Sequence, residues 1–117
     1  MKLELITRRD DLVIRRLVLA PGESMFWHHD VCHRFSVVVR GDSLGIQYLD
    51  ATTVQRLTIY PGQADWDAPE PRVHRAINIG MQPFEEVVTF FLDAPGQDPQ
   101  PVHHAADDIP WEASPDA

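Results

Sequence analysis

Short stretches of β-branched and other apolar residues recur along the chain, and Gly, Pro or Asp follows most of them within a few positions. The three- and four-residue spacing of an amphipathic helix is absent. At Pro21-Gly22 and Pro61-Gly62, proline restricts φ to about −65° and glycine permits positive φ, which favours tight turns. The pattern predicts strands over residues 3–6, 12–19, 25–29, 34–40, 44–49, 54–60, 64–66, 72–79 and 85–92. Short strands at this spacing are typical of an antiparallel all-β barrel or sandwich.

The bulk charge of the chain bears on its partners. A formal charge of −8 is spread over single Asp and Glu residues, which argues against binding to a phosphate backbone. Cys32 is the only cysteine, so the chain cannot form an internal disulfide and nothing indicates an oxidising compartment. Residues 1–11 are charged where a signal peptide would be apolar, and no apolar run approaches the roughly 18 residues that span a bilayer. We expect a cytoplasmic protein without nucleic-acid or membrane partners.

The character of the chain changes at residue 94. Scattered acids and five prolines, at positions 95, 99, 101, 110 and 115, leave little apolar surface there. We expect residues 1–93 to form one barrel and residues 94–117 to form a loose, Pro-rich, acidic tail. Trp111 and Ile109 are the tail residues suited to docking on the barrel or on a neighbouring subunit. His103 and His104 are expected to be solvated.

Two segments, which together span residues 22–78, resemble the paired motifs of the cupin superfamily. The first motif reads Gly, five residues, His, one residue, His, three or four residues, Glu, six residues, Gly, and its positions hold here Gly22, His28, Asp30, Arg34 and Gly41. The second motif ends in His, three residues and Asn, and His74 and Asn78 match that ending after Pro61-Gly62. The resemblance implies an antiparallel double-stranded β-helix, the jelly-roll barrel of small, single-domain RmlC-like cupins.

The resemblance also bears on metal binding. Metal-binding cupins hold a divalent ion such as iron, manganese, nickel or zinc with three His and one Glu. In this chain His28 and His74 fall on the first and third positions, but Asp30 replaces the second His and Arg34 replaces the Glu. Arginine has no lone pair to offer and repels a cation. Two His and a carboxylate can still hold a divalent metal. A single metal ion bound by His28, Asp30 and His74 is therefore one of the alternatives.

The alternation of side chains decides which residues of the first motif face inward. Period-two geometry puts His28, Asp30, Cys32 and Arg34 on one face, and Trp27, His29, Val31 and His33 on the other. A turn between His29 and Arg34 would shift this parity and bring His29 or His33 inward, completing a three-His site with His74. His33 is therefore a further candidate metal ligand. Cys32 is either a small buried hydrophobe or a reactive thiol.

An arginine inside a barrel needs a negative partner, because burying an unpaired charge is costly. The partner of Arg34 is either internal, with Asp30, Asp65 and Asp67 as candidates, or the carboxylate or phosphate of a ligand. Trp66 is a candidate wall of the substrate pocket, with ordinary core packing as its alternative. Three further residues are candidates for the pocket lining, although alternation does not tell whether their side chains face inward: Arg40, Tyr48 and Arg72.

These residues favour a small cupin that binds a small anionic organic ligand in its barrel, with Arg34 on the anion and His28 and His74 as catalytic groups. With a bound metal, the resemblance implies a dioxygenase or an isomerase. Without one, His74 would be the base of an epimerase- or lyase-type enzyme. A non-catalytic ligand-binding or sensory barrel, and an inert structural cupin with a salt-bridged interior, are the alternatives. We also expect a homodimer that forms through outer strands, in particular residues 87–92.

Overall fold

The computed structural model describes residues 1–104, which form strands and turns without any helix. The strands are β1 (Lys2–Arg8), β2 (Leu12–Leu19), β3 (His28–Asp30), β4 (His33–Arg40), β5 (Ser43–Tyr48), β6 (Val54–Thr58), β7 (Ala64–Asp67), β8 (Glu70–Asn78) and β9 (Phe84–Phe91). Each overlaps one predicted strand, and the all-β prediction is confirmed. The largest difference is in β3, which begins at His28 instead of residue 25. Within residues 1–104 no helix exists that could cross a membrane.

The strands form two antiparallel sheets with neighbours that are distant in sequence. The five-stranded sheet has the order β1-β2-β9-β4-β7, and the four-stranded sheet has the order β3-β8-β5-β6. Side chains on the facing sides of the sheets fill the interior, as expected for a jelly-roll barrel. The glycine that ends the first motif, Gly41, has a φ of +140°, and a Cβ there would lie 3.0 Å from the Ile59 side chain and 3.1 Å from Phe84. This turn therefore requires glycine.

The larger of two buried apolar clusters lies around Asn78, at the end of the barrel away from Arg34, and the smaller one contains Val13, Val88 and Phe90. The buried members of the larger cluster are Leu17, Leu19, Met25, Val38, Leu44, Ile59, Ala76 and Phe84. Asn78 ties this end together, because its side-chain amide donates to the carbonyl oxygens of Leu19 at 2.9 Å and Gln82 at 2.8 Å. Its amide oxygen accepts the Gly80 N–H at 3.0 Å. The motif asparagine thus satisfies three backbone groups, a structural role that keeps this end closed.

Residues 97–103, which we call the strap, lie along the free edge of β3. The Pro99 carbonyl accepts the Val31 N–H at 3.2 Å, and the His103 N–H donates to the Trp27 carbonyl at 2.8 Å. Gln100 is only 8% exposed. The expectation of a tail that is loose from residue 94 is therefore wrong for the strap, because an open sheet edge offers unpaired backbone groups that even a proline-containing segment can bond through its carbonyls.

The two histidines of the tail lie at the end of the strap and directly after it. His103 and His104 have exposed side chains, as predicted. Trp111 and Ile109, the two residues suited to docking, lie outside the described residues.

Candidate functional site

Two histidines face each other at the polar end of the barrel. The sheet register pairs His28 on β3 with His74 on β8, and their ring centroids are 4.6 Å apart. The Nδ1–H of His28 donates to the Phe26 carbonyl at 3.0 Å, and the Nδ1–H of His74 donates to the Arg72 carbonyl at 2.7 Å. Each ring is therefore held by the backbone with its Nε2 atom directed towards the other polar groups of the barrel.

Asp30 lies at the centre of this group with a side chain that is 1% exposed. Its Oδ2 atom is 2.9 Å from His74 Nε2 and 3.1 Å from Arg34 Nη1, and its Oδ1 atom accepts the Gln100 side-chain N–H at 2.9 Å. Burial by itself would raise the pKa of Asp30, but the His74 hydrogen bond and the positive charge of Arg34 outweigh it and lower the pKa. Asp30 is therefore a carboxylate.

The two histidines differ in protonation. His74 has an acceptor at both ring nitrogens, since Nδ1 meets a carbonyl and Nε2 meets the Asp30 carboxylate, so both nitrogens must carry protons. Burial would lower the pKa of His74, yet the bonds to Asp30 and Arg72 raise it. The pKa of His28 is lowered, chiefly by burial, and its Nε2 is 3.7 Å from the nearest Asp30 oxygen. His74 is an imidazolium, and His28 is neutral with a free lone pair on Nε2.

Arg34 occupies the motif position of the family glutamate. Its Nη1 atom is buried and lies 3.1 Å from Asp30, but the approach is not aligned for a hydrogen bond. Its Nη2 atom is 3.9 Å from Asp67 at the rim. Among residues 1–104, Arg34 thus has ionic partners but a buried N–H without a hydrogen-bond acceptor. Such a donor is a position where a ligand oxygen would be stabilised.

A cavity of about 350 Å³ lies inside the barrel, and its lining includes the polar side chains of His28, Asp30, Arg34 and His74. Towards the core the cavity wall is apolar, with Leu17, Val38, Ile46, Leu57 and Ala76 among its members. Arg15, Tyr48, Asp65, Asp67, Glu70 and Gln100 also contribute to the lining. A cavity of this size with an apolar body and a few polar groups is typical of a small-molecule site.

Glu86 is a functional candidate that the sequence analysis missed. It lies on the inner face of β9 between Phe84 and Val88, and it lines the cavity beside Leu17 and Val38. It makes no hydrogen bond or ion pair with residues 1–104, and burial raises its pKa to about 7. The signal was present, because the inward positions of this strand are otherwise apolar and a single Glu interrupts them.

Gln100 is the second missed residue. Its amide N–H binds Asp30, and its amide oxygen lies 3.4 Å from Arg15 Nη1. No pattern in the sequence points to Gln100, because it stands in the proline-rich segment after the last strand. Its place at the site follows only from the pairing of the strap with β3.

Two predicted site residues lie outside the cavity. His33 is exposed, and its Nδ1 accepts the Trp66 indole N–H at 3.3 Å. Trp66 is 60% exposed and stacks on Phe91 at 5.0 Å between ring centroids. The prediction of His33 as a metal ligand and the prediction of Trp66 as a pocket wall are therefore wrong, because unshifted alternation turns both side chains to the outer face of the five-stranded sheet.

The remaining candidates divide between cavity and surface. Tyr48, Asp65 and Asp67 line the cavity. Arg40 instead pairs with Glu85 at 3.1 Å, and Arg72 pairs with Asp50 at 2.8 Å, both at the surface. His29 is half-buried and is not part of the cavity wall. Cys32 is 1% exposed, bonds Gln97 through Sγ at 3.2 Å, and has a pKa raised by burial, so it is packed as a structural thiol.

The fit of a metal ion can be judged from the donors. One ligand atom each from His28, Asp30 and His74 lies within 4.8 Å of the others, so this cluster could hold a divalent ion. The hydrogen bonds from the Nδ1 atoms of His28 and His74 to backbone carbonyls are also typical of histidines that bind a metal through Nε2. Arg34 opposes the fit, because its charge is 3.1 Å from the carboxylate that would bind the ion. His74 would also have to lose the Nε2 proton that it donates to Asp30 before that nitrogen could bind an ion.

Comparison with known proteins supports the fold. No protein-family model matches the sequence, and no curated protein is significantly similar to it. A cupin domain from Bordetella pertussis superposes with a TM-score of 0.66 at 18% identity, covering 78% of this chain and 92% of that one. A double-stranded β-helix protein from Klebsiella pneumoniae gives 0.62 at 20% identity, with coverages of 86% and 82%.

An enzyme is also among the similar structures. Oxalate oxidase in complex with the substrate analogue glycolate superposes with a TM-score of 0.56 at 19% identity, covering 81% of this chain and 52% of that chain. Identities this low carry information on the fold and not on the reaction. Together with the two-sheet topology and the motif positions, they show that this chain is a small domain with the cupin fold.

Proposed function

We propose that this protein binds a small carboxylate-bearing molecule inside its barrel and acts on it by proton transfer. The observation that carries the proposal is the buried Nη1 of Arg34, which faces a cavity of about 350 Å³ without an aligned acceptor among residues 1–104. A carboxylate is the acceptor that best matches the fork of N–H groups on a guanidinium. Oxalate oxidase, which has a similar fold, was solved in complex with glycolate, a small carboxylate.

The charges around Arg34 favour a small anion. Asp30 contributes one negative charge, whereas Arg34 and His74 contribute two positive charges, so the excess of positive charge is confined to these three innermost groups, with Asp67 3.9 Å from Arg34 at the rim. The cavity lining also includes Asp65, Asp67 and Glu70. These acids would repel a polyanion such as a phosphate ester more strongly than a single carboxylate. We therefore favour a monocarboxylate over a phosphorylated ligand.

The protonation states assign the proton-transfer roles. His28 is neutral and has a free lone pair on Nε2, so we propose it as the base that removes a proton from the ligand. His74 has both ring N–H groups engaged, one by the Arg72 carbonyl and one by Asp30, so we propose that it holds the Asp30 carboxylate in place and supplies positive charge beside the ligand. This reverses the sequence-based expectation of His74 as the base. In a metal-free isomerase, His28 would take a proton from one carbon of the ligand and return it from the same Nε2 atom to a neighbouring carbon.

A metal-dependent reaction is the second candidate, supported by the donor cluster at His28, Asp30 and His74. An iron, manganese, nickel or zinc ion bound there would supply Lewis-acid or oxygen chemistry, as in a dioxygenase or an isomerase. The residues themselves would orient the ion through the backbone-anchored rings. Displacement of Arg34 from Asp30 is a requirement of this candidate and not of the first.

The decisive experiment measures carboxylate binding to the chelator-treated full chain by ligand-observed NMR, with acetate to hexanoate as probes. We expect Arg34→Leu to weaken binding at least about tenfold, because a charged hydrogen bond to a carboxylate contributes about 1.5–3 kcal/mol. Arg34→Lys should retain part of the affinity, since it keeps the charge and loses the fork.

Arg40→Leu is the matched control, because Arg40 ends the same strand but pairs with Glu85 at the surface. It should leave carboxylate binding unchanged. Equal binding by Arg34→Leu and the native chain would contradict the proposal. Elemental analysis of the same preparation, after supply of the four metals, addresses the second candidate: one bound equivalent that is absent from both His28→Ala and His74→Ala would support it.

We also propose a homodimer in the cytoplasm, as the sequence leads us to expect. The outer face of the five-stranded sheet exposes an aromatic group in which Phe35 is 38%, Phe91 is 37% and Trp66 is 60% exposed. Exposed apolar patches of this kind often cover one another in oligomers. Light scattering should give twice the 13.3 kDa chain mass, and Phe35→Glu should give the single-chain mass. A monomeric native protein would refute the dimer.

A further inference from the structure

We propose that Glu86 is a second ligand-binding group of the cavity, and that the ligand is a short carboxylic acid carrying a neutral oxygen, as a ketone or hydroxyl, at its other end. The assignment rests on the proposed function, because it takes Arg34 as the site of the carboxylate. It adds the chemical class of the ligand and the residue that selects it.

The position of Glu86 is anomalous for a structural residue. Its neighbours across the sheet are Leu17 on β2 and Val38 on β4, and its neighbours on the inner face of β9 are Phe84 and Val88. No side chain or backbone group of residues 1–104 hydrogen-bonds to its carboxyl. An unpartnered carboxyl in an apolar wall is unfavourable for folding. A ligand that fills the cavity would provide the missing partner.

The chemistry of the carboxyl selects the ligand group. Burial is the main influence on its pKa, with the charge of Arg34 acting in the opposite direction and those of Asp67 and Asp30 reinforcing it. In the neutral form the carboxyl has one O–H donor, which a ketone or hydroxyl oxygen can accept. A second carboxylate on the ligand would be repelled by Asp30, Asp67 and any ionised Glu86. The neutral oxygen is therefore preferred.

The spacing of the two groups limits the ligand length. Arg34 is paired with Phe90, and Glu86 is paired with Val38, so the two lie four residue positions apart along β4. The backbone positions of Arg34 and Glu86 are therefore ~13 Å apart. The two long side chains take up part of this distance, and the ligand would fill the rest. The remaining distance suits an acid of about four to six carbon atoms whose oxygen is remote from the carboxylate.

The experiment compares acids of equal length that differ only in the neutral oxygen, using the full chain at pH 6. Pentanoate and 4-oxopentanoate form one pair, and hexanoate and 5-oxohexanoate form another. We expect the native chain to bind at least one oxo acid about fivefold more tightly than its partner, as one hydrogen bond allows. Glu86→Leu should remove this preference and retain the pentanoate and hexanoate affinity. Glu86→Gln, which keeps an N–H donor, should retain the preference.

Glu85→Gln is the control, because Glu85 is the adjacent residue on β9 and pairs with Arg16 and Arg40 on the outer face. It should leave the preference unchanged. If carboxylates bind through Arg34 but show no preference, or keep it in Glu86→Leu, the role of Glu86 is refuted and the proposed function stands. If no acid binds at all, both are refuted.

Discussion

Asp30→Ala is expected to lower the free energy of unfolding by about 3–5 kcal/mol, the usual cost of breaking a buried ion pair from one side. The side chain of Asp30 is 1% exposed and faces two cations, His74 at 2.9 Å and Arg34 at 3.1 Å. Without the carboxylate, both cations lose their buried counter-charge, and the Gln100 amide loses its acceptor. Urea unfolding at pH 7 measures the change.

Two further variants make this test specific. Asp67→Ala removes the other acid near Arg34, but its contact is 3.9 Å long and its side chain is 47% exposed, so the loss should stay below about 1 kcal/mol. Asp30→Asn keeps the shape and an acceptor oxygen, and it should fall between the two. A cost for Asp30→Ala no larger than that for Asp67→Ala would show that the cluster is not a charge-paired centre.

Glu86→Gln is expected to stabilise the protein, and to do so more as the pH rises. The pKa of Glu86 is about 7 in the folded chain and 4.5 ordinarily, so folding favours the protonated form. Stability from this group is fully present below pH 4.5 and is lost as the pH rises through about 7. The shift corresponds to about 3 kcal/mol lost by the native chain at pH 8, a loss that the amide variant does not suffer.

Urea unfolding of native chain and variant at pH 5 and pH 8 measures the difference. Glu85→Gln is again the matched control, because Arg16, at 2.7 Å, is the main cause of a lowered pKa at Glu85. The Glu85 carboxylate has two cationic partners, Arg16 in a part-buried pair and Arg40 in an exposed one, so the substitution should cost about 1–2 kcal/mol and give no stabilisation at pH 8. An equal effect of Glu86→Gln at both pH values would mean that Glu86 is ionised and solvated in the folded chain.

The two predictions have opposite signs for a physical reason. Asp30 is a buried carboxylate with cationic partners, so its removal leaves those cations buried without a counter-charge, which lowers the stability of the fold. Glu86 is a half-buried acid in the cavity wall whose partner is absent from residues 1–104, so its neutralisation relieves a cost. Proteins commonly tolerate such a cost where a residue serves function. On the proposed function, Glu86→Leu would therefore gain stability while losing ligand discrimination.

The strand pattern could be predicted well because each strand depends on local information. Alternation and Pro-Gly turns are properties of neighbouring residues, and they placed nine strands that all exist. Unshifted alternation also predicts that His28, Asp30 and Arg34 face inward together and that His33 lies on the outer face, as the structure has them. The shifted parity that would have brought His33 inward does not occur.

The site was predictable only where the motif spacing carried it. His28 and His74 are 46 positions apart in the chain, and their motif positions predict the pairing that the register of β3 and β8 shows. Trp66 shows the limit, because the register that pairs it with Phe35 and turns it outward is a property of two strands and not of its own neighbours. Gln100 is a second example of this limit, because no residue near it in the sequence indicates that it contacts Asp30.

Local sequence patterns are enough to predict the fold class, the strand positions and the replacement of the family glutamate by arginine, because periodicity, turn chemistry and residue identity are local. The state of the site follows from the packed sheets alone: which histidine is protonated, that the buried N–H of Arg34 has no aligned acceptor, and that Glu86 faces the cavity. Protonation and hydrogen bonding depend on burial and on partners from distant strands, and these quantities exist only once the sheets have packed.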